Sequence, residues 1–137
     1  HGESGNIGVL VKLKLHSAEA AAHEAARQFA FDLALHVAAF NPTYLSEATV
    51  PPAYIAEQEA IFQKQAENLG KPEKVIAGIV KGKLRKHLSE ITLLGQPFVK
   101  DDKKSVSQVA EQLGKELGGS IEVSDFRYYS VGEEVGA

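Results

Sequence analysis

The sequence predicts an α+β fold: a small antiparallel sheet covered on one face by helices, with an antiparallel helical hairpin, a coiled coil, projecting from it. Three observations carry this. Residues 7–15 and 121–131 alternate apolar and wetter positions, as half-buried strands do. Residues 18–40 hold an alanine-rich run that favours helix. Residues 51–99 read as two helices joined by a tight break and followed by an apolar exit. The stretch 1–137 reads as one domain with the hairpin, about 52–91, inserted in it.

In order, residues 1–6 form a glycine-rich turn. In the first strand Ile7, Val9, Val11, Leu13 and Leu15 take the buried face, and Gly8, Leu10, Lys12 and Lys14 the wetter one. Ser17 is placed to cap one helix over 17–40. Between Phe29 and Phe40 only Asp32 and His36 are polar, so this helix is expected to be buried against both the sheet and a neighbour. Pro42 stops it, with Asn41 biased out of helical geometry. Tyr44 and Leu45 anchor the connection 43–50, and Pro51 and Pro52 set the entry to the hairpin.

In the first hairpin arm Ile55, Phe62 and Leu69 recur every seventh residue, with Ala66 between them. In the second, Val75, Ile76, Ile79, Val80, Leu84, Leu88 and Ile91 keep three-to-four spacing. Gly70 suits the left-handed end of the first arm, and Pro72 the first turn of the next. Each arm of roughly 17 residues makes a rod of about 25 Å. Residues 100–104 read as a solvated loop, and Ser105 as the cap of a helix over 106–117 ended by Gly118-Gly119. In the last strand Ile121 and Val123 point one way, while Phe126 and Tyr128 fit the other, which calls for a bulge near Ser124–Asp125. Two strands alone make a marginal sheet, so a third is expected from outside this chain.

Composition excludes several classes. The chain has 137 residues, 44% of them hydrophobic and 24% charged, an ordinary globular balance. A net charge of −3 argues against a general nucleic-acid binder. With no cysteine there is no disulfide framework, thiolate metal site or thiol nucleophile. No uncharged apolar run approaches membrane-spanning length, so no membrane partner is expected. The chain opens with His1 rather than Met and reads as a fragment.

Candidate chemistry is sparse. Asp32 and His36, four apart on one helix face, are in reach of each other, but no nucleophile or metal spacing accompanies them. His16, His23 and His87 fit no H-x-x-x-H spacing, so no metal site is expected. Gly78, Gly82 and Gly95 make no phosphate loop, so no nucleotide cofactor is expected; the glycines of the second arm are read as allowing close helix approach. No serine lies in a G-x-S-x-G setting. No catalytic residue is assigned, and the chain is not read as an enzyme. Lys81, Lys83, Arg85, Lys86 and His87 form a basic run that RNA or an acidic partner surface could meet; with glutamates spread along the first arm, and no aromatics for base stacking interleaved, it is read as a solvated face.

Three runs in order carry a family resemblance: Gly70-Lys71-Pro72, Gly82-Lys83-Leu84-Arg85-Lys86, and Leu94-Gly95-Gln96-Pro97-Phe98-Val99. With Ile7-Gly8-Val9-Leu10-Val11 and Phe40-Asn41-Pro42, the pattern resembles the C-terminal half of the core, or dimerisation, region of bacterial translation elongation factor Ts. The Gln-Pro-Phe-Val run after a Gly-Lys-Pro break is the most specific piece. The resemblance implies a guanine-nucleotide exchange factor that binds elongation factor Tu and promotes GDP release. It also implies a cytoplasmic or organelle-matrix location, and pairing either with a second copy or with the missing N-terminal half. The alternative is an interaction module that uses the hairpin to dock a protein or RNA complex without exchange.

The family's exchange element, Thr-Asp-Phe-Val after a strand resembling 7–15, is absent; that slot holds Ser17-Ala18-Glu19-Ala20. Either this is a degenerate factor, or it is the second of two similar half-domains, with the motif in the first. The His1 start and the alanine-rich helix favour the second reading. By resemblance, His1, Gly2, Val131, Gly132 and Glu133 lie near the partner. So does one outer pair of the last strand, Arg127 and Tyr129 or Phe126 and Tyr128.

Overall fold

The computed structural model describes residues 6–131, with side chains from 7 to 130. It holds helices and two small antiparallel sheets. Strand β1 (Asn6–Leu15) pairs antiparallel with β4 (Ile121–Val131). The register runs Gly8 opposite Tyr129, Leu10 opposite Arg127 and Lys12 opposite Asp125, then shifts so that Leu13 meets Val123. Ser124 is the extra residue of that bulge, and its Oγ donates to the Lys12 carbonyl at 3.2 Å. One inserted residue reverses the alternation. It therefore brings Ile121, Val123, Phe126 and Tyr128 onto the same apolar cluster, as the slipped pattern requires.

The helix expected over 17–40 is two. Ser17 caps α1 (Ala18–Ala22), its Oγ accepting from the Ala20 N–H at 3.0 Å. His23 then turns extended (ψ 140°) and caps α2 (Glu24–Phe40), its Nδ1 accepting from the Ala25 N–H at 3.0 Å. A capping side chain satisfies a helix-start amide that would otherwise be orphaned, so the break costs little. Asn41 ends α2 in the left-handed region (φ 40°).

Helices α3 (Pro52–Glu67) and α4 (Glu73–Ile91) form the hairpin. Gly70 turns it at φ +66°, a region an L side chain resists. Ala66, Ile76 and Val80 are buried between the arms, with Phe62 and Ile79 beside them. Tyr54, near the start of α3, meets His87, near the end of α4, its hydroxyl 2.7 Å from His87 Nε2, so the arms run antiparallel. The apolar stripe is shorter than its spacing suggested: Leu69 and Val75, beside the turn, are exposed.

The hairpin's two ends are tied together at its base. The Leu93 and Leu94 amides donate to the carbonyls of Tyr44 and Leu45, at 2.8 and 3.0 Å. Leu93–Gly95 form a 3-10 turn so tight that a Cβ on Gly95 would lie 2.8 Å from the Ser89 Cα. The solvated loop expected at 100–104 is instead largely a strand. Short strand β2 (Pro97–Phe98) pairs antiparallel with β3 (Asp101–Ser105). Backbone pairing needs no apolar side chains, so the charged run gave no sign of it. A capping box starts α5 (Val106–Glu116): Ser105 Oγ accepts the Gln108 N–H at 3.1 Å, and Gln108 Oε1 accepts the Ser105 N–H at 2.8 Å.

The core joins α2 (Phe29, Leu33, Val37), the base turn (Leu93), β2 (Phe98), α5 (Val106, Ala110) and β4 (Ile121, Val123). Val9, Val11, Leu13 and Leu15 pack on it from β1. Helices α2 and α5 thus cover one face of the β1–β4 sheet, as expected, but among the described residues no neighbour buries the far side of α2, where Phe31, Leu35 and Phe40 are exposed.

Candidate protein-binding surface

Residues opposite each other in an antiparallel pair point to the same side. The register therefore places Gly8, Leu10, Lys12 and Lys14 on one face with Glu122, Asp125, Arg127 and Tyr129. This face is the one away from the core. Leu10 is 60% exposed and Tyr129 50%, although each stands on a strand whose other side is packed. The Tyr129 side chain lies over Gly8, where a Cβ would sit 3.8 Å from its own Cβ, in ordinary contact. Beside this apolar pair is a charged one: Arg127 Nη1 donates to Asp125 Oδ1 at 2.8 Å. A flat face with an apolar centre and an ion-paired margin has the anatomy of a protein interface.

The register decides which pair of the last strand points away from the core. Arg127 and Tyr129 point outward, while Phe126 and Tyr128 are half-buried against the core. Of the other sequence-assigned positions, His1, Gly2, Gly132 and Glu133 lie outside the described residues, and Val131 ends β4 with its side chain outside them. Leu10 was missed by the sequence reading of the site. Its signal was a large apolar residue at a wet position of the strand, opposite Arg127.

The other side chains with chemical potential are engaged in structure. Asp32 and His36 do not pair. Asp32 Oδ1 accepts from Gln28 Nε2 at 2.9 Å and stands 3.9 Å from Lys100 Nζ. His36 is fully buried, stacked on Phe98 at 5.9 Å between centroids. Its Nδ1 accepts the Val99 N–H at 3.1 Å, which places the proton on Nε2, where it donates to Gln96 Oε1 at 2.8 Å. Gln96 Nε2 in turn donates to the Glu90 carbonyl at 2.8 Å. Burial lowers the His36 pKa, and the Gln96 bond offsets part of that. This chain of bonds ties α2 to the end of α4 and accounts for the glutamine of the Gln-Pro-Phe-Val run.

His16 Nδ1 accepts the Ser120 N–H at 3.1 Å, and His87 packs on Tyr54 and Phe62. An open hollow of about 350 Å³ is lined by Phe29, Phe98 and Leu113, with Asp32, Lys104 and Glu116 among its polar groups. Among the described residues, no three His, Asp or Glu side chains gather as a metal would require. Among them, too, no helix is long and apolar enough to cross a membrane.

Comparison with known proteins decides the family. The profile of the family Elongation factor TS matches residues 1–133. The chain belongs to the elongation factor Ts family. Elongation factor Ts of Borreliella burgdorferi is 51% identical over 132 residues, covering 96% of this chain and 47% of that protein. Elongation factor Ts of Borrelia hermsii is 53% identical over 132 residues. That of Treponema denticola is 48% identical over 125 residues, covering 91% of this chain. The chain thus spans about half the length of the elongation factor Ts relatives it matches.

Proposed function

We propose that this chain is the C-terminal half of the core of an elongation factor Ts, and that it binds elongation factor Tu through the open face of the β1–β4 sheet. The carrying observation is the uncovered face centred on Leu10 and Tyr129, in a chain whose family is shown. The resemblance implies that the outer sheet face of such half-domains packs on a β-barrel domain of Tu. An apolar patch on a rigid sheet is suited to that, since little side-chain freedom is lost on docking. The charged margin around Arg127 sets register and excludes wrong partners. The hairpin, read as a coiled coil, is a separate arm on the same base.

The factor transforms no molecule itself. Exchange is differential binding: a protein that holds the open state of Tu better than the GDP-bound state shifts that equilibrium toward release. Because Ser17-Ala18-Glu19-Ala20 stands where the family has its Thr-Asp-Phe-Val element, this half supplies grip and the other half supplies the distortion of the nucleotide site. A soluble translation factor of this kind acts in the cytoplasm or an organelle matrix.

The test is calorimetric titration of purified elongation factor Tu·GDP with this chain, beside release of a fluorescent GDP analogue. The expected result is saturable binding with little acceleration of release. Absence of binding, or exchange as fast as a full-length factor gives, contradicts the reading.

A further inference from the structure

The average charge of −3 conceals a segregation that the helices make visible. Helix α3 exposes Glu57, Glu59 and Glu67. Helix α4 exposes Lys74, Lys81, Lys83, Arg85 and Lys86, of which Lys74, Lys81 and Arg85 stand on its outer side. At 100° per residue, Lys74, Lys81 and Arg85 fall within about 40° of one another, opposite the buried Ile76 and Val80. Among the described residues none of these three cations takes part in an ion pair.

Between them lie Gly78 and Gly82. A Cβ at either would meet nothing within 4 Å. They do not serve close packing inside this chain, which corrects the reading made from sequence. They leave a strip of bare backbone flanked by cations, open to a close approach from outside.

Two kinds of polyanion fit a basic helix face. An acidic protein needs an apolar anchor at the centre of the contact, and this stripe offers only Val75 beside its turn end. A phosphate backbone needs cations and access but no apolar centre and no base-stacking aromatics. From Lys74 to Arg85 the stripe is about 17 Å long at 1.5 Å per residue. A duplex presents several phosphates over that length.

We infer that the outer face of α4 docks the phosphate backbone of structured RNA, through Lys74, Lys81 and Arg85 with Gly78 and Gly82 as the approach floor. The choice of RNA as the polyanion rests on the translation-factor reading above; the cationic contact does not. The binding is independent of base sequence and separate from the sheet face.

The test is fluorescence anisotropy with a 20-base-pair RNA duplex at about 50 mM salt. Three engaged cations predict a log–log salt slope of about −3. Lys81→Glu with Arg85→Glu should weaken binding at least about tenfold, and the glutamine versions of both by somewhat less. Lys83→Glu makes the same charge change as Lys81→Glu but sits on the far side of the helix, and should cost less than about twofold. Leu10→Asp should leave RNA binding unchanged, which separates this inference from the proposed contact with Tu. No wild-type binding at about 100 μM chain overturns it. So does equal damage from Lys83→Glu and Lys81→Glu, or poly-L-glutamate binding more tightly than RNA.

Discussion

The two apolar clusters of this chain are built to different depths. The cluster beneath the sheet closes over Leu33, Val37, Leu93 and Val106, all with no exposed surface. The hairpin cluster buries only Ala66, Ile76 and Val80. The first joins elements far apart in sequence; the second joins two neighbours across a five-residue break, 68–72. The difference teaches where stability and where presentation reside. The sheet layer sets the global fold, and the hairpin is a lightly packed arm held at its base by the His36–Gln96–Glu90 bonds.

The largest effect should come from opening the deeper cluster. Leu33→Ala should cost about 3–5 kcal/mol in urea unfolding, because its site is closed on all sides. Ile76→Ala should cost nearer about 2 kcal/mol, and hydrogen exchange should show its effect in hairpin amides alone. Equal losses, or an Ile76 effect spread through β1 and β4, would show the two clusters to be one cooperative unit.

Glycines give a comparison of opposite sign. Gly95→Ala places a Cβ 2.8 Å from the backbone of Ser89 and should destabilise by about 1–3 kcal/mol. Gly78→Ala meets open space inside a helix and should stabilise by about 1 kcal/mol. Thermal unfolding of the two variants checks this. A destabilising Gly78→Ala would mean that α4 has an internal neighbour at that face.

A smaller effect follows from His36. Its folded pKa lies below its ordinary 6.5, so the unfolded chain binds the extra proton. Stability from this group is therefore present above about pH 6.5 and is lost as pH falls through the folded value. In acid a proton on Nδ1 would face the Val99 N–H, donor against donor. The urea midpoint should fall between pH 7.5 and 5.5, and His36→Leu should flatten that slope while lowering stability at both ends. An unchanged slope in the variant would assign the pH dependence elsewhere.

Much of the fold was legible because its signals are local. Alternation marked β1 and β4; the slipped pair Ile121, Val123 against Phe126, Tyr128 marked the bulge; Gly70, Pro72 and Ser105 marked turn and cap. Two features were not legible. The break at His23 rests on an imidazole capping a helix, a role outside the usual serine, threonine and aspartate set. The β2–β3 pairing is made by backbone groups beneath charged side chains. For the site, sequence named Arg127 and Tyr129 but left the face open. Only the register, with Gly8 opposite Tyr129 and Leu10 opposite Arg127, shows that Leu10 completes the patch.

The most direct measurement is the calorimetric affinity for elongation factor Tu·GDP of two matched variants, each placing a carboxylate at an exposed apolar position. Tyr129→Asp lies on the open sheet face and Ile61→Asp on the hairpin. The account predicts a loss of at least about tenfold, or roughly 1.4 kcal/mol, for Tyr129→Asp and wild-type affinity for Ile61→Asp. Wild-type affinity for Tyr129→Asp with loss for Ile61→Asp would contradict it and move the partner onto the hairpin.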